Sequence, residues 1–294
     1  MTQTLIKIYA FFLGACLGSF LNVCVVRWPR DLSIVKPRSR CPQCGYQLAW
    51  YDNIPIVSWV WLRARCRCCG EPISPLYPLV ELFVALGWFA AASVFAPDYF
   101  TALRIAVFGT ILLGVGLTDA RSYLIPDGFT LTGFIWALAT AVIAYLRGQP
   151  PAGAMGFDVA SMFALNPYDA IVGACAGAGM IAIVGWLGEI ATKRDAMGLG
   201  DVTLMAFVGA TVGPGRALLT VFMGAILGVV CMLPLMLVRR RVVHEQTELQ
   251  FGSIGIRSRI EFPLVPFGVF LAPAALITLL WGDALLQWWL RRGP

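Results

Sequence analysis

Eight apolar stretches, separated by polar segments, constrain this chain more than any other feature of its sequence. They lie at 5–26, 79–96, 99–118, 128–146, 169–190, 202–214, 217–238 and 264–289. A helix that crosses a hydrocarbon core of about 30 Å needs about 20 such residues, which most of the stretches provide. The stretch 202–214 is short and predicts a tilted or partial helix. We therefore predict an all-α polytopic membrane protein with about eight transmembrane helices.

Composition excludes several classes of soluble enzyme. Hydrophobic residues make up 59% of the 294 residues and charged residues only 13%, whereas an ordinary soluble domain is about 25% charged. The single histidine, His244, follows three arginines. A zinc protease with an HExxH motif needs two histidines, and a Ser-His hydrolase needs one beside its nucleophile. We expect the chain to belong to neither class.

Basic residues are distributed unevenly between alternate connecting segments. With eight spans, one side holds 16 Lys and Arg residues, including eight in the 27–75 segment, and the other side holds 6. The positive-inside rule assigns the richer side to the cytoplasm. We predict three parts: a first transmembrane segment at 1–26, a cytoplasmic loop domain at 27–75 and a transmembrane core at 76–294. We expect contact with membrane lipid and none with nucleic acid, because the basic residues lack interleaved exposed aromatics.

Two cysteine pairs lie in the 27–75 segment. Cys41-Pro-Gln-Cys44 is followed, after twenty-one residues, by Cys66-Arg-Cys-Cys69. Because two such pairs can wrap a zinc ion tetrahedrally, we predict a zinc-ribbon-like structural site formed by Cys41, Cys44, Cys66 and Cys69. Cys68 is an extra thiol that could replace Cys69 as a ligand. The alternative is a pair of disulfides, which requires this loop to lie outside the cytoplasm.

Two aspartates stand at the ends of apolar stretches on the predicted cytoplasmic side. Asp119 follows the third stretch, and Asp201 directly precedes the sixth. A carboxylate near hydrocarbon is costly and tends to face a wet cavity or a partner. Two carboxylates that lie close together cannot both ionise easily. Such a pair supplies an acid and a base for the attack of water on an amide.

Other roles for these two aspartates stay open at this point. Asp201 could cap its own helix, and Asp119 could be a solvated residue at a helix end. A transporter or channel could also use both carboxylates to couple ions. Carboxylates at the membrane midplane and repeated halves would favour transport, whereas both aspartates here are predicted at one face.

Four further residues draw attention near these segments. Asp127 follows a proline and is expected to cap the next helix. Glu81 is expected to be a buried hydrogen-bonding group rather than a substrate contact. Gly198 and Gly200, which precede Asp201, fit a turn that needs a positive φ or a close backbone approach.

A series of landmarks runs through nearly the whole chain in a fixed order. They are Gly18-Ser19-Phe20-Leu21-Asn22-Val23, the Cys41–Cys44 pair, Trp50-Tyr51-Asp52-Asn53-Ile54-Pro55, the Cys66–Cys69 pair, Tyr77-Pro78-Leu79-Val80-Glu81, the segment from Asp119 to Asp127, Gly198-Leu199-Gly200-Asp201 and Pro266-Phe267-Gly268. In this order they resemble the bacterial type IV prepilin peptidase family, a group of GxGD-type intramembrane aspartyl proteases. This order is far more specific than any single motif.

The resemblance implies a leader peptidase that is also an N-methyltransferase. The family's catalytic aspartates match Asp119 and Asp201, with Gly198 and Gly200 in the active-site loop. The implied reaction removes the leader of type IV prepilins or pseudopilins at the cytoplasmic face of the bacterial inner membrane. The new amino terminus is then methylated with S-adenosylmethionine. Zinc is implied in the cysteine-rich loop, and no residue is implied for the methyl donor.

Overall fold

The computed structural model describes residues 2–148, 163, 166–193, 197–250 and 266–290. These residues form nine α-helices, and their only strand pairing is two isolated β-bridges in the cysteine-rich loop. The helices are α1 Thr2–Arg27, α2 Val57–Trp61, α3 Leu76–Val94, α4 Tyr99–Ser122, α5 Asp127–Leu146, α6 Pro167–Thr192, α7 Leu199–Val212, α8 Pro214–Gln250 and α9 Gly268–Leu290.

Seven of these helices are long and apolar enough to cross a membrane, namely α1, α3, α4, α5, α6, α8 and α9. The remaining apolar helix, α7, has only 14 residues. At about 1.5 Å per residue it rises about 21 Å, which is short of a hydrocarbon core. The predicted fold class is confirmed: the described residues are all-helical, as expected for a multi-pass membrane protein, and the stretch expected to be short is the one outside the seven candidate spans.

The helix α8 extends beyond its predicted end. The predicted apolar stretch ends at residue 238, but the helix continues to Gln250. The residues from 239 to 250 are rich in Arg, Glu and Gln, which are good helix formers although they are polar. Hydropathy therefore marked the end of the membrane segment and not of the helix. The residues 251–262 lie outside the described residues, as do Arg194, Arg291 and Arg292 of the basic-residue count.

The chain divides into two packed units. The first comprises Met1–Thr118 and Leu124–Trp136, and the second comprises Asp119–Tyr123 and Ala137–Pro294. Both α4 and α5 contribute residues to each unit. The division into parts at 1–26, 27–75 and 76–294 stays a prediction, since it describes roles and not packing.

Within the first unit, α1 packs against α3 through small residues. Gly14 and Gly18 of α1 lie so close to α3 that a Cβ on Gly18 would stand 2.7 Å from the Cα of Glu81. A Cβ on Gly14 would stand 2.9 Å from the Cα of Ala85. Small residues spaced four apart allow helices to approach in this way when both cross a membrane.

Within the second unit, α6 packs against α7 even more closely. A Cβ on Gly173 would collide with the backbone carbonyl of Gly209, and a Cβ on Gly209 would collide with that of Gly173. One turn further along α6, a Cβ on Gly177 would meet the carbonyl of Met205. This contact holds α7 in place although α7 is too short to span the membrane itself.

Polar side chains join α8 to α9 in the same unit. The hydroxyls of Thr220 and Thr278 share a hydrogen bond of 2.6 Å and are fully buried. The guanidinium of Arg216, which is 5% exposed, donates from Nε to Asp283 at 2.9 Å and forms an ion pair with it. A buried arginine is tolerated in such surroundings because a carboxylate compensates its charge.

Candidate functional sites

Four cysteine thiols of the first unit form one cluster. The Sγ atoms of Cys41, Cys44, Cys66 and Cys69 all lie within 4.8 Å of one another. The distances from Cys41 to Cys69 and from Cys44 to Cys66 are both 3.9 Å. Sulfur atoms at the corners of a zinc tetrahedron with Zn–S bonds of about 2.3 Å are about 3.8 Å apart. The cluster could therefore hold a metal ion.

Both cysteine pairs are folded by the same local turn. In the first, Cys41 donates its backbone N–H to Tyr46 at 2.9 Å and accepts from Gly45 at 3.0 Å. In the second, Cys66 makes the same two bonds with Glu71 and Gly70, at 2.8 and 3.0 Å. A glycine follows each pair with a φ of +72°, a conformation that glycine adopts without steric clash.

This shared turn decides which thiol of the second pair belongs to the cluster. Because Cys69 holds the position that Cys44 holds in the first turn, its thiol points to the cluster, while Cys68 is exposed and outside it. The backbone N–H groups of Cys69 and Cys68 donate to Cys66 and lower the pKa of its thiol to about 7. This favours the thiolate, which is the form that binds metal.

An ion pair joins the turn that contains Cys66 and Cys69 to the segment before α2. Arg67 donates to Asp52 from Nε at 2.9 Å and from Nη2 at 2.6 Å, and the Asp52 side chain is 2% exposed. The guanidinium also lies 5.3 Å from the ring centre of Tyr51. Arg67 is therefore engaged by a carboxylate beside the cluster. The Asp52 hydrogen bond raises the pKa of Arg67, which stays charged.

A second anchor reaches the cysteine-rich loop from a membrane helix. Glu81 of α3 is buried, and its Oε2 accepts the backbone N–H of Ile56 at 2.7 Å. Ile56 precedes α2 with a φ of +62°, a conformation that is strained for a β-branched residue. This contact agrees with the expectation that Glu81 is a buried hydrogen-bonding group. The hydrogen bond holds the backbone of Ile56 in its strained conformation.

The second unit brings the two predicted aspartates near each other. Asp119 lies in the last turn of α4 and is 5% exposed, and Asp201 lies in the first turn of α7 and is partly buried. The two carboxylates are separated by 82 positions in the sequence, yet they are close enough for the charge of Asp119 to act on Asp201. Two acids at helix ends therefore share one environment.

A third helix end completes this site. The Oδ2 atom of Asp119 accepts the backbone N–H of Val269 at 3.0 Å, and the N–H of Gly268 also donates to this carboxylate. Both donors belong to the first turn of α9, where backbone N–H groups have no partner within the helix. The landmark Pro266-Phe267-Gly268 therefore begins a helix whose first turn binds Asp119.

Several local expectations around the aspartates are refined by the structure. Asp201 does not cap α7, because Gly198 occupies the capping position. Gly198 has an extended backbone with φ −79°, and a Cβ there would meet only the backbone N of Gly200 at 3.9 Å. The expected positive φ or close approach is therefore wrong at Gly198. Asp127 is the first residue of α5 and not the residue before it, so the expected capping role is not confirmed.

Sequence reasoning missed the contacts made through backbone atoms. The N–H donors of Gly268 and Val269 carry no side-chain signature, although the Pro-Phe-Gly landmark marked the place. The glycines of α6 that pack against α7 could have been identified from the sequence, because Gly173 and Gly177 form a pattern of small residues spaced four apart. The partner of Glu81 is a backbone N–H 25 positions away, which only a folded chain discloses.

Two family descriptions match the chain. The bacterial peptidase A24 N-terminal domain matches residues 12–95, which contain the four clustered cysteines. The type IV leader peptidase family matches residues 106–233, which contain Asp119 and Asp201. No solved structure matches the chain at a significant level.

Three similar proteins bear the same name, prepilin leader peptidase/N-methyltransferase. The protein from Aeromonas hydrophila is 31% identical over 308 residues, which cover 95% of this chain and 92% of that protein. The protein from Myxococcus xanthus is 39% identical over 78% of this chain and 64% of its own length. The protein from Klebsiella pneumoniae is 33% identical over 70% of this chain and 84% of its own length. The chain belongs to the type IV leader peptidase family.

Proposed function

We propose that this protein is an intramembrane aspartyl endopeptidase that removes the leader of type IV prepilins or pseudopilins and then methylates the new amino terminus. Family membership and the names of its relatives support this activity. The catalytic groups in this proposal are Asp119 and Asp201. The predicted active-site loop is wrong at Gly200, which lies in the first turn of α7 just before Asp201, whereas Gly198 directly precedes this helix.

One observation carries the proposal. The carboxylates of Asp119 and Asp201 interact electrostatically, although they come from different helices. Because two neighbouring carboxylates cannot both ionise easily, the proposed mechanism has the pair share one proton. A proton shared in this way is what acid–base hydrolysis of an amide requires, and it requires no histidine.

The reaction follows from this shared proton. The ionised carboxylate removes a proton from water, whose oxygen attacks the scissile carbonyl carbon while the protonated carboxyl donates its proton to the carbonyl oxygen. The tetrahedral intermediate then collapses, the carbon–nitrogen bond breaks, and the leaving amine takes up a proton from the pair. The roles belong to the pair and not to one residue.

The first turn of α9 orients this pair. Two backbone N–H groups hold the Asp119 carboxylate, so its position does not depend on side-chain rotamers alone. A substrate that is itself an apolar helix with a polar leader would present its cut site at the helix ends, where both aspartates lie. This explains why the acids sit at helix ends.

The test uses purified protein in detergent with a prepilin, and it measures loss of the leader by mass. We expect Asp119→Asn and Asp201→Asn each to slow cleavage by about 10²–10⁴-fold, while Asp127→Asn, at the start of a different helix, cleaves normally. Unchanged thermal melting of all three variants controls for folding. Cleavage retained by both Asn variants would refute the pair, and no leader loss in the parent protein would favour a transporter.

The methyl-transfer step rests on the relatives' names and on the family resemblance. In this step the new amine nitrogen attacks the methyl carbon of S-adenosylmethionine, the methyl–sulfur bond breaks, and S-adenosylhomocysteine leaves. We assign no residue of the chain to the methyl donor. The measurement is incorporation of labelled methyl at the amino terminus of the cleaved pilin.

The cysteine cluster is proposed to bind one structural zinc ion on the cytoplasmic side of the inner membrane. We expect one zinc per chain in the purified protein, its loss in Cys69→Ser and its retention in Cys68→Ser, which differs by one position. Metal analysis that finds zinc absent from the parent protein would refute the site.

The location of the cluster is tested in cells. A membrane-impermeant maleimide should label the exposed Cys68 only after the inner membrane is permeabilised. Labelling of intact spheroplasts would place the loop on the opposite side and would revive the disulfide alternative.

A further inference from the structure

A cavity of about 420 Å³ in the first unit has no role in the proposed reaction. This volume is within the range of about 300–1,000 Å³ typical of ligand sites. One wall is a stripe of α1, formed by Cys16, Ser19, Phe20, Val23 and Arg27. The rest of the lining comes from the segment 34–55, including Arg38 and Ser39.

The stripe on α1 is mainly apolar along its length and basic at one end. Its residues are spaced three or four apart, so they share one helix face. The face is mainly apolar from Cys16 to Val23 and ends at Arg27, the last residue of the helix. From Cys16 to Arg27 the helix rises about 16 Å, which is about half of a hydrocarbon core of about 30 Å. A single acyl chain covers this length.

The polar end of the cavity is cationic. Arg27 donates to the backbone oxygens of Ser33 at 2.9 Å and Pro37 at 2.7 Å, which brings Arg38 to the end of α1. The cavity lining includes these two arginines and no acidic side chain. Within the described residues, neither arginine has a carboxylate within the 4.0 Å of an ion pair. Among the residues that the structure describes, no ion pair therefore offsets their positive charge.

The positive charge of the two arginines favours anionic ligands over cationic ones. S-adenosylmethionine carries a sulfonium and an ammonium against one carboxylate, so it is a net cation that two arginines would repel. A phosphodiester bound to an acyl chain satisfies both ends of the cavity, because arginine pairs well with phosphate oxygens and the chain can follow the apolar stripe.

We propose that this cavity binds one anionic phospholipid, with its phosphate between Arg27 and Arg38 and one acyl chain along α1. The bound lipid would hold the loop after Arg27 against the membrane surface, and with it the cysteine-rich segment. This inference does not depend on the proposed peptidase activity.

The test uses the full-length protein in a neutral detergent and follows alkylation of Cys16, which lines the cavity and is exposed. Peptide mass spectrometry gives the alkylation rate of this thiol separately from the other cysteines. We expect phosphatidylglycerol to slow the reaction, whereas phosphatidylcholine with the same chains does not. Native mass spectrometry should show one phosphatidylglycerol retained per chain.

Matched arginine variants complete the test. Arg38→Gln should weaken protection by phosphatidylglycerol by about tenfold, which corresponds to one charge-assisted hydrogen bond. Arg40→Gln removes the same charge two positions away, outside the cavity lining, and should protect like the parent. Equal protection by both lipids, or full protection in Arg38→Gln, would overturn the proposal. Protection by inorganic phosphate or S-adenosylmethionine in place of the lipid would also overturn it.

Discussion

Two helix pairs, α1–α3 in the first unit and α6–α7 in the second, both pack through glycines spaced four apart, but the glycines face different atoms. Gly18 of α1 faces the Cα of Glu81, and Gly14 faces the Cα of Ala85. Gly173 of α6 instead faces the backbone oxygen of Gly209, and Gly209 faces that of Gly173. The α6–α7 pair therefore has glycine on both sides of its closest contact.

This difference corresponds to what each pair has to hold. The helix α3 is 19 residues long and can span a membrane on its own, so α1 needs only to lie against it. The helix α7 has 14 residues and depends on its neighbours for its depth. It also carries Asp201 in its first turn. A displacement of α7 moves one of the proposed catalytic acids, whereas a displacement of α3 moves Glu81 and the loop that it anchors.

The largest expected effect is that of Gly209→Leu. A new side chain there would collide with a backbone carbonyl that cannot rotate away, because it belongs to a helix. We expect destabilisation beyond the about 1–3 kcal/mol that is typical of overpacking, together with loss of prepilin cleavage. Thermal melting in detergent and the cleavage assay measure the two effects.

Gly179→Leu is the matched control, because Gly179 lies in α6 and a Cβ there would meet nothing within 4 Å. Leucine is also a better helix former than glycine. The control should melt and cleave at least as well as the parent protein. A Gly209→Leu protein that cleaves normally would show that the contact between Gly209 and Gly173 does not position α7.

A smaller and different effect is expected of Gly18→Leu. The obstructing atom is the Cα of Glu81 at 2.7 Å from the new Cβ, so α3 must shift. We expect a loss of about 1–3 kcal/mol and faster removal of metal by a chelator, with cleavage affected less than by Gly209→Leu. Gly87→Leu on α3 is the control, because a Cβ there meets nothing within 4 Å. If cleavage fell as far as in Gly209→Leu, the two pairs would not differ in function.

The helices and the cysteine quartet were predictable because their signals are local. Apolar stretches of about 20 residues indicate spans, and two C-x-x-C pairs indicate a thiol cluster that could hold a metal ion. The predicted end of α8 was wrong because the residues after 238 are mainly polar but still favour a helix. The sequence predicted Cys69 with Cys68 as an alternative, and the structure places Cys69 in the cluster.

The contacts that position the proposed catalytic site were beyond sequence reasoning. Asp119 and Asp201 were selected by their place at helix ends and by family resemblance, which say nothing about the group that orients them. The donors to Asp119 are backbone N–H groups about 150 positions away, and every residue except proline has such a group. The reciprocal contact of Gly173 with Gly209 likewise depends on which helix faces which.

The smallest effects, and the sharpest test of what the α1–α3 pair holds, come from Glu81. Glu81→Gln keeps an oxygen that can accept the N–H of Ile56, so we expect a loss of less than about 1 kcal/mol, since a neutral hydrogen bond replaces a charged one. Glu81→Ala leaves that buried N–H without a partner, which costs about 1–3 kcal/mol. Because Ile56 has a strained positive φ, the segment should then relax, and a chelator should remove metal faster in Glu81→Ala than in Glu81→Gln. Equal rates of metal loss in the two variants would mean that the carboxylate, and not its hydrogen bond to Ile56, stabilises the cysteine-rich loop.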